Sequence, residues 1–500
     1  MSPAETYQSV VPLFAVLVSL VVVPLILVSA QRPNLRESWT IGASLAKFGL
    51  VASLLPHALA GRTAEVRLLE ISPGIDFALR ADPFGVFFAL VASGLWVFTS
   101  FYSIGYVRGL NEHKQTRYFA SFAVCLSATV GVAFAANVLT FVVFYEVLTV
   151  ATYPLVIHKE TPEAISGGRK YLAYTLTAGV LLIAATAWTY QVVGDLDFRA
   201  GGLLEGKSAS VETVRGLFLL FILGVGVKAA IMPLHSWLPT AMVAPTPVSA
   251  LLHAVAVVKA GVFGVVRVVG FVFGPSAMSA FGLSTILAIF AGATIIIASL
   301  LALSEDNLKR RLAYSTIGHL SYVVLGTALL TPASFAGGVL HIANHAAMKI
   351  TLFFCAGAIY VNLHKENVSE LDGIGRAMPW TMGAFTLAAA GLAGVPPVNG
   401  FVSKWYLGLG AIEADAQLPL VVLLLGGLLS AGYLIPIVYR AFFRPMAGEK
   451  GTREASALMV VPLVLTATLS VALGLAPNLF VHLHDLAMNI SRSVIDGGTP

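Results

Sequence analysis

The sequence predicts an all-α integral membrane protein of about fourteen transmembrane helices. Three observations carry this. Of 500 residues, 57% are apolar and 11% charged, against the roughly 25% charged residues of a soluble globular chain. The apolar residues gather in runs of about 20, the length that crosses the hydrocarbon of a bilayer. The charges gather between those runs, with a few conspicuous exceptions inside them.

Cutting the chain at charge and Gly/Pro clusters gives spans near 10–30, 38–60, 83–107, 117–136, 138–157, 171–193, 214–232, 247–270, 281–303, 311–330, 336–363, 380–409, 418–439 and 456–477. Residues 1–10 carry no Lys or Arg for the n-region of a signal peptide, so the first span is expected to be retained. Seventeen Lys and Arg fall on the odd-numbered connections and eight on the even-numbered ones. By the positive-inside rule, both termini are expected on the non-cytoplasmic side of the cell (inner) membrane. The longer outside loops, 61–82 and 194–213, are expected to form small polar caps. Cys125 and Cys355 lie in separate apolar runs and suggest neither a disulfide nor a thiolate metal site.

Five basic residues remain inside the spans, Lys47, Lys228, Lys259, Lys349 and Lys404, and Glu146 is the acidic residue well inside one. Each costs roughly 2.5–3.5 kcal/mol near the bilayer centre, so such residues mark ion paths unless a structural role explains them. Glu146 sits at midspan in FVVFYEVLTVATYPL. Lys228 lies one turn before Pro233, and Lys404 follows Pro396, Pro397 and Gly400. Proline breaks free backbone polar groups, which membranes tolerate only where protein or a water-filled cavity surrounds them. Buried charge beside a broken helix therefore reads as an ion site.

His341, His345 and Lys349, spaced i, i+4, i+8, share one helix face. His253 and Lys259 are six apart, about 240° around an unbroken helix, and are expected to meet different neighbours. His319 stands alone in its span. Lys47 has no polar neighbour of obvious purpose and is set aside as a packing or lipid-facing residue.

The broken spans are the seventh and twelfth, five apart. Two inverted five-helix repeats, spans 4–8 and 9–13, follow, since five is odd. The chain is thereby expected to divide into N-terminal helices (1–116), a first repeat (117–272), a second, inverted repeat (273–445), and a last helix with its tail (446–500). Lys228 and Lys404 become symmetry-related in that scheme.

These residues resemble a known family, the antiporter-like subunits shared by Mrp-type multisubunit Na⁺/H⁺ antiporters, respiratory complex I and membrane-bound hydrogenases. The resemblance covers roughly residues 80–445. It rests on FYEVLTVATYPL around Glu146, VKAAIMPLHSWLPTAMVAPTPVSALLHAVAVVKAG from Val227, DNLKRRLAYSTIGHLSYV from Asp306, HIANHAAMKITLFF from His341 and GLAGVPPVNGFVSKWYL from Gly391. The resemblance implies a carboxylate–lysine pair (Glu146, Lys228), a central relay (Lys259, with His253), polar residues on the eleventh helix (His341, His345, Lys349) and a terminal lysine (Lys404). His253 together with Lys259 is similar to the large Mrp antiporter component, whereas the length is similar to the smaller, D-type component.

The expected function is proton translocation, chiefly within a Mrp-type monovalent cation/H⁺ antiporter. The alternative is a proton-pumping subunit of a complex I-like oxidoreductase or membrane-bound hydrogenase. The expected partners are other membrane subunits, H⁺, Na⁺ as an alternative coupling ion, and the lipid bilayer, with no nucleic acid. No nucleotide-binding loop, redox ligand set or flavin motif is visible, so no cofactor is expected and an enzymatic role is left open through a redox-driven complex. A more distant reading is a histidine-box metalloenzyme, since His341-x-x-x-His345 matches one such box. No second box and no His-Glu-x-x-His accompanies it, and no metal is expected.

Overall fold

The computed structural model describes residues 5–72, 75–205, 209–445 and 452–497. Lys207 and Lys450, counted above in the loop charge balance, lie outside the described residues.

The chain is mostly helical, and the helices are long because their ends are well signalled. In chain order, α1 (Val11–Val28) and α2 (Pro33–Ala52) precede a short helical turn and a small sheet. Next come α3 (Pro83–Gly109), α4 (Gln115–Ala133), α5 (Val138–Val156), α6 (Pro162–Val193) and α7 (Val211–Lys228). Asp82, Asn137 and Thr161 cap α3, α5 and α6 by accepting a hydrogen bond from the backbone N–H three residues on. Such caps satisfy donors a bilayer would leave bare. Serine and threonine inside the apolar helices bond back to the i−4 carbonyl, as Thr99 does to Leu95 and Thr129 to Cys125, which hides their hydroxyls from lipid.

Beyond α7 lie α8 (Thr246–Ala254), α9 (Val257–Arg267), α10 (Leu283–Ser304), α11 (Leu308–Ala328), α12 (Pro332–Leu363), α13 (Pro379–Ala393), α14 (Asn399–Glu413), α15 (Gln417–Phe443), α16 (Ala457–Leu475) and α17 (Leu483–Ile495). Every residue of α8 and α9 is buried, as is α12 from Ala333 to Ile359. α8 packs directly on α12.

Eleven helices among the described residues are long and apolar enough to cross a membrane, so the chain is a multi-pass integral membrane protein. Three other expected spans are helical but charged or interrupted. α7 ends on Lys228, α11 opens through Lys309, Arg310 and Arg311, and α13 and α14 have 15 residues each.

The all-α expectation needs correction. Strands β1 (Thr6–Gln8), β2 (Thr63–Ser72) and β3 (Ile75–Ala81) form one sheet, with β1 parallel and β3 antiparallel to β2. The expected polar cap at 61–82 is this hairpin, and the alternation of TAEVRLLEIS was masked by the surrounding helical signal. Arg80 ties it to the rest, bonding Glu65 at 2.8 Å and Asp197 at 2.7 Å.

Other boundaries moved as well. α6 begins at Pro162, nine residues before the expected start, because Arg169 and Lys170 lie on its polar end rather than in a loop. α2 includes Arg36 and Glu37, both buried. Glu37 pairs with Arg108, so an acidic residue besides the half-buried Glu146 lies within a helix, and this one is fully buried. α17 was not expected and packs on α12 and α3, with Ser491 bonded to the Pro332 carbonyl.

Candidate proton path

The break after α7 spans 229–236 and contains Pro233, as expected. Freed backbone groups find protein partners there. Trp237 Nε1 donates to the Val227 carbonyl at 2.8 Å, and Met232 N donates to Thr294 Oγ1 at 3.1 Å. α9 presses on the break through Gly261, where a Cβ would stand 2.1 Å from Ala229 N. No residue but glycine fits that approach.

Lys228, fully buried, donates a 2.5 Å hydrogen bond to the Tyr145 carbonyl and lies 3.3 Å from the centroid of the Tyr145 ring. A cation over an aromatic face gains electrostatic attraction once desolvated. Glu146 is the next residue on α5. Its carboxyl rests on Gly179 of α6, where a Cβ would be 2.5 Å from its Cδ, and its Oε1 is buried without a hydrogen-bond partner. It lies within Coulombic reach of Lys228 without forming an ion pair in this conformation.

α8 and α9 are separated at Val255 and Ala256, the latter at φ −108 and ψ −88. This third break lies between His253 and Lys259 and was missed, for neither residue is Gly or Pro. It overturns the 240° argument, which assumed an unbroken helix. Both side chains face α12, at different heights. His253 stacks on Phe353 at 4.7 Å, with neither ring nitrogen bonded. Lys259 donates to the Ile342 carbonyl at 2.9 Å and lies 2.8 Å from His345 Nδ1.

The polar face of α12 fans out. His345 meets Lys259. His341 Nε2 lies 3.1 Å from His319 Nδ1, and His341 Nδ1 lies 2.8 Å from Ser403 Oγ on α14. Lys349 donates to Ser315 Oγ at 2.8 Å and to the Leu312 carbonyl at 3.2 Å. His319 is therefore a central member, stacked on both His341 and His345 with centroids 5.4 Å from each. Both ring nitrogens of His341 are engaged, and Nδ1 of His345 is held by Lys259, while His345 Nε2 is buried without a partner.

Sequence reasoning missed the hydroxyls that connect these groups. Ser315 Oγ lies 2.9 Å from Tyr433 OH, Tyr433 OH donates to Ser430 Oγ at 3.1 Å, and Ser430 Oγ lies 3.4 Å from His319 Nε2. Lys349 and His319 are thus joined through α15. Tyr322 stacks on His319 at 5.3 Å, and Lys404 Nζ lies 5.1 Å over its ring. A hydroxyl at i+4 from a titratable residue is a weak signal in a chain rich in Ser and Thr.

Lys404 is half-buried and donates to the Leu392 and Ala393 carbonyls at 2.6 and 3.2 Å, at the C-terminal end of α13. Pro396 and Pro397 lie in the break between α13 and α14. Gly400 does not; it is the second residue of α14, where a Cβ would meet the Gly391 carbonyl at 2.0 Å. Lys228 ends the helix before its break, whereas Lys404 follows its break. The two lysines are not equivalent in backbone position, and what they share is an ammonium group at a helix break.

Lys47 is fully buried and bonded to the Ala15 carbonyl at 2.7 Å and to the Leu126 carbonyl at 3.4 Å. It staples α1, α2 and α4 together, away from the residues above.

Residues 135–430 match the family described as NADH:quinone oxidoreductase/Mrp antiporter, TM. The chain is 31% identical over 476 residues to a protein of Rhizobium meliloti (strain 1021) named as a probable A/B subunit of a K(+)/H(+) antiporter, covering 93% of this chain and 46% of that one. It thus spans under half of that relative. It is 29% identical to the N subunit of NADH-quinone oxidoreductase of Desulforudis audaxviator, covering 91% and 95%. It is 30% identical to hydrogenase-4 component B of Escherichia coli, covering 84% and 65%. In fold it is similar to a chain of the Mrp complex from Dietzia sp. DQ12-45-1b, at TM-score 0.87 and 20% identity over 98% of this chain and 97% of that one. It is likewise similar to a chain of the archaeal membrane-bound sulfane sulfur reductase, at TM-score 0.84 and 23% identity, covering 98% and 99%. The family match extends over more than half of the sequence and takes in the Glu146, Lys228, Lys259, His319, α12 and Lys404 positions together: the chain belongs to the NADH:quinone oxidoreductase/Mrp antiporter transmembrane family.

Proposed function

We propose that this chain is the proton-translocating subunit of a Mrp-type monovalent cation/H⁺ antiporter in the cell membrane, working among other membrane subunits with both termini outside the cytoplasm. The observation that carries the reading is the buried sequence of titratable groups Lys259, His345, His319 and His341, each within hydrogen-bond or ring-stacking distance of the next. A chain of groups that alternately donate and accept is what proton relay requires, and histidine suits it near neutral pH.

In this reading Glu146 and Lys228 form the gate. A carboxylate that approaches the lysine favours the ammonium form, and one that retreats favours proton release toward Lys259. His253 flanks that transfer. Protons then pass through His345, His319 and His341 toward Lys404, with Lys349 joined to the same network through Ser315, Tyr433 and Ser430.

The same proposal takes the chain as fourteen spans with an N-terminal group (1–116), two inverted repeats (117–272 and 273–445) and a final segment (446–500). Two pairs of features support it. α6 and α12 are both 32 residues long. Asn137 caps α5 and bridges to Asp197 just after α6, while Asn307 caps α11 and bridges to Asn367 just after α12. The bias of basic residues supports the orientation.

A second reading, a proton-pumping subunit of a complex I-like or hydrogenase complex, is favoured by the match over 95% of the Desulforudis oxidoreductase relative. Cation-driven H⁺ flux in proteoliposomes of the purified complex tests the proposal. Glu146→Ala and Lys228→Ala are each expected to abolish flux while leaving assembly intact. Normal flux in either variant rejects it.

A further inference from the structure

Where α3 hands over to α4, and two residues beyond the end of α5, Glu112, His113 and His158 bring one ligand atom each to within 4.8 Å of one another. His158 is fully buried and neither of its ring nitrogens has a hydrogen-bond partner. Its Nε2 points at Glu112, 3.7 Å from Oε2. His113 stacks on it with centroids 5.0 Å apart and planes 27° apart, and Tyr118 closes the other side edge-on at 5.5 Å. Polar atoms sealed from water without partners are destabilising unless something occupies the place they face.

The charged neighbours leave the carboxylate of Glu112 free for that role. Lys114 and Arg117 both bond Glu160, at 2.7 and 2.6 Å, and a second Arg117 nitrogen donates to the His158 carbonyl at 3.3 Å. Glu160 Oε2 lies 3.9 Å from His113 Nε2, a fourth donor atom at the rim.

We propose that Glu112, His113 and His158 form a binding site for a borderline divalent transition metal of the Zn²⁺ class, linking the α3–α4 connection to the end of α5. Two imidazoles and a carboxylate are a donor set for such an ion and leave a fourth position for water or Glu160. Tetrahedral coordination needs ligand atoms about 3.3 Å apart, so the exposed His113 and the loop it stands on close inward by about an ångström. Hard cations such as Mg²⁺, which favour oxygen, are excluded by the same donors.

The test is Zn²⁺ titration of the full-length chain in detergent, without a polyhistidine tag, with Co²⁺ absorption as a second readout. One Zn²⁺ per chain is expected, with the ligand-field bands of tetrahedral Co²⁺. His113→Ala, at an exposed position, and Glu112→Gln are each expected to weaken binding at least tenfold. His482 and His484, which flank Asp485 at 3.1 and 3.6 Å, are the rival surface ligands, and His482→Ala/His484→Ala is expected to leave the affinity unchanged. No Zn²⁺ bound by the unmodified chain, full affinity in His113→Ala, or loss of binding in the His482/His484 variant would each overturn the proposal.

Discussion

Lys259 Nζ lies 2.8 Å from His345 Nδ1, joining the centre of the broken α8–α9 pair to the polar face of α12. Among the described residues, His345 is the one side chain bonded to Lys259, whose other partner is the Ile342 carbonyl. In the proposed path, His345 is therefore the side-chain acceptor for a proton leaving Lys259. His345→Gln is expected to slow proton flux about tenfold or more, from roughly 1.5–3 kcal/mol lost with a charged hydrogen bond. Flux assays on the reconstituted complex check this, and a rate unchanged within twofold would remove His345 from the path.

Tyr433 OH connects Ser315 to Ser430, and so Lys349 to His319. Tyr433→Phe deletes that link with little change in shape. Severalfold slower flux at unchanged melting temperature is the expected result. Equal flux would show that Lys349 acts independently of His319.

Lys47 behaves differently. Lys47→Ala removes the hydrogen bonds to the Ala15 and Leu126 carbonyls that tie α1, α2 and α4 together. A stability loss of about 1–3 kcal/mol is expected, with flux per folded molecule unchanged. Thermal melting and flux, measured on the same preparation, separate the two effects. Abolished flux at full stability would place Lys47 in the path after all.

Arg267 is buried at the end of α9, grips Asp82 with two hydrogen bonds of 2.5 and 2.7 Å, and is enclosed by Phe84, Phe198, Phe263 and Phe271. Asp82→Ala leaves a buried cation unpaired and also uncaps α3. A loss of about 3–5 kcal/mol is expected, read as failure to assemble or a sharply lowered melting temperature. A melting temperature within a few degrees of the unmodified protein would show that water compensates the arginine.

The buried charges were legible because a bilayer makes them expensive, so Glu146, Lys228, Lys259 and Lys349 stood out against an apolar background. The Pro233 and Pro396–Pro397 breaks were legible because proline lacks the N–H a helix needs. The Val255–Ala256 break was not, since neither residue is Gly or Pro. His319 looked solitary because its partners come from α12 and α15, far along the chain. The same distance hid the Lys47 staple: its acceptors are backbone carbonyls of Ala15 and Leu126, which carry no residue-type signature.

Lys259 sits between the proposed gate near α7 and the histidines of α12, so its removal tests the account most directly. Proton uptake driven by an imposed Na⁺ or K⁺ gradient, followed with a pH-sensitive dye in proteoliposomes of the Lys259→Ala complex, is predicted to fall to the level of protein-free vesicles while the complex still assembles. Uptake at the unmodified rate would contradict the path described.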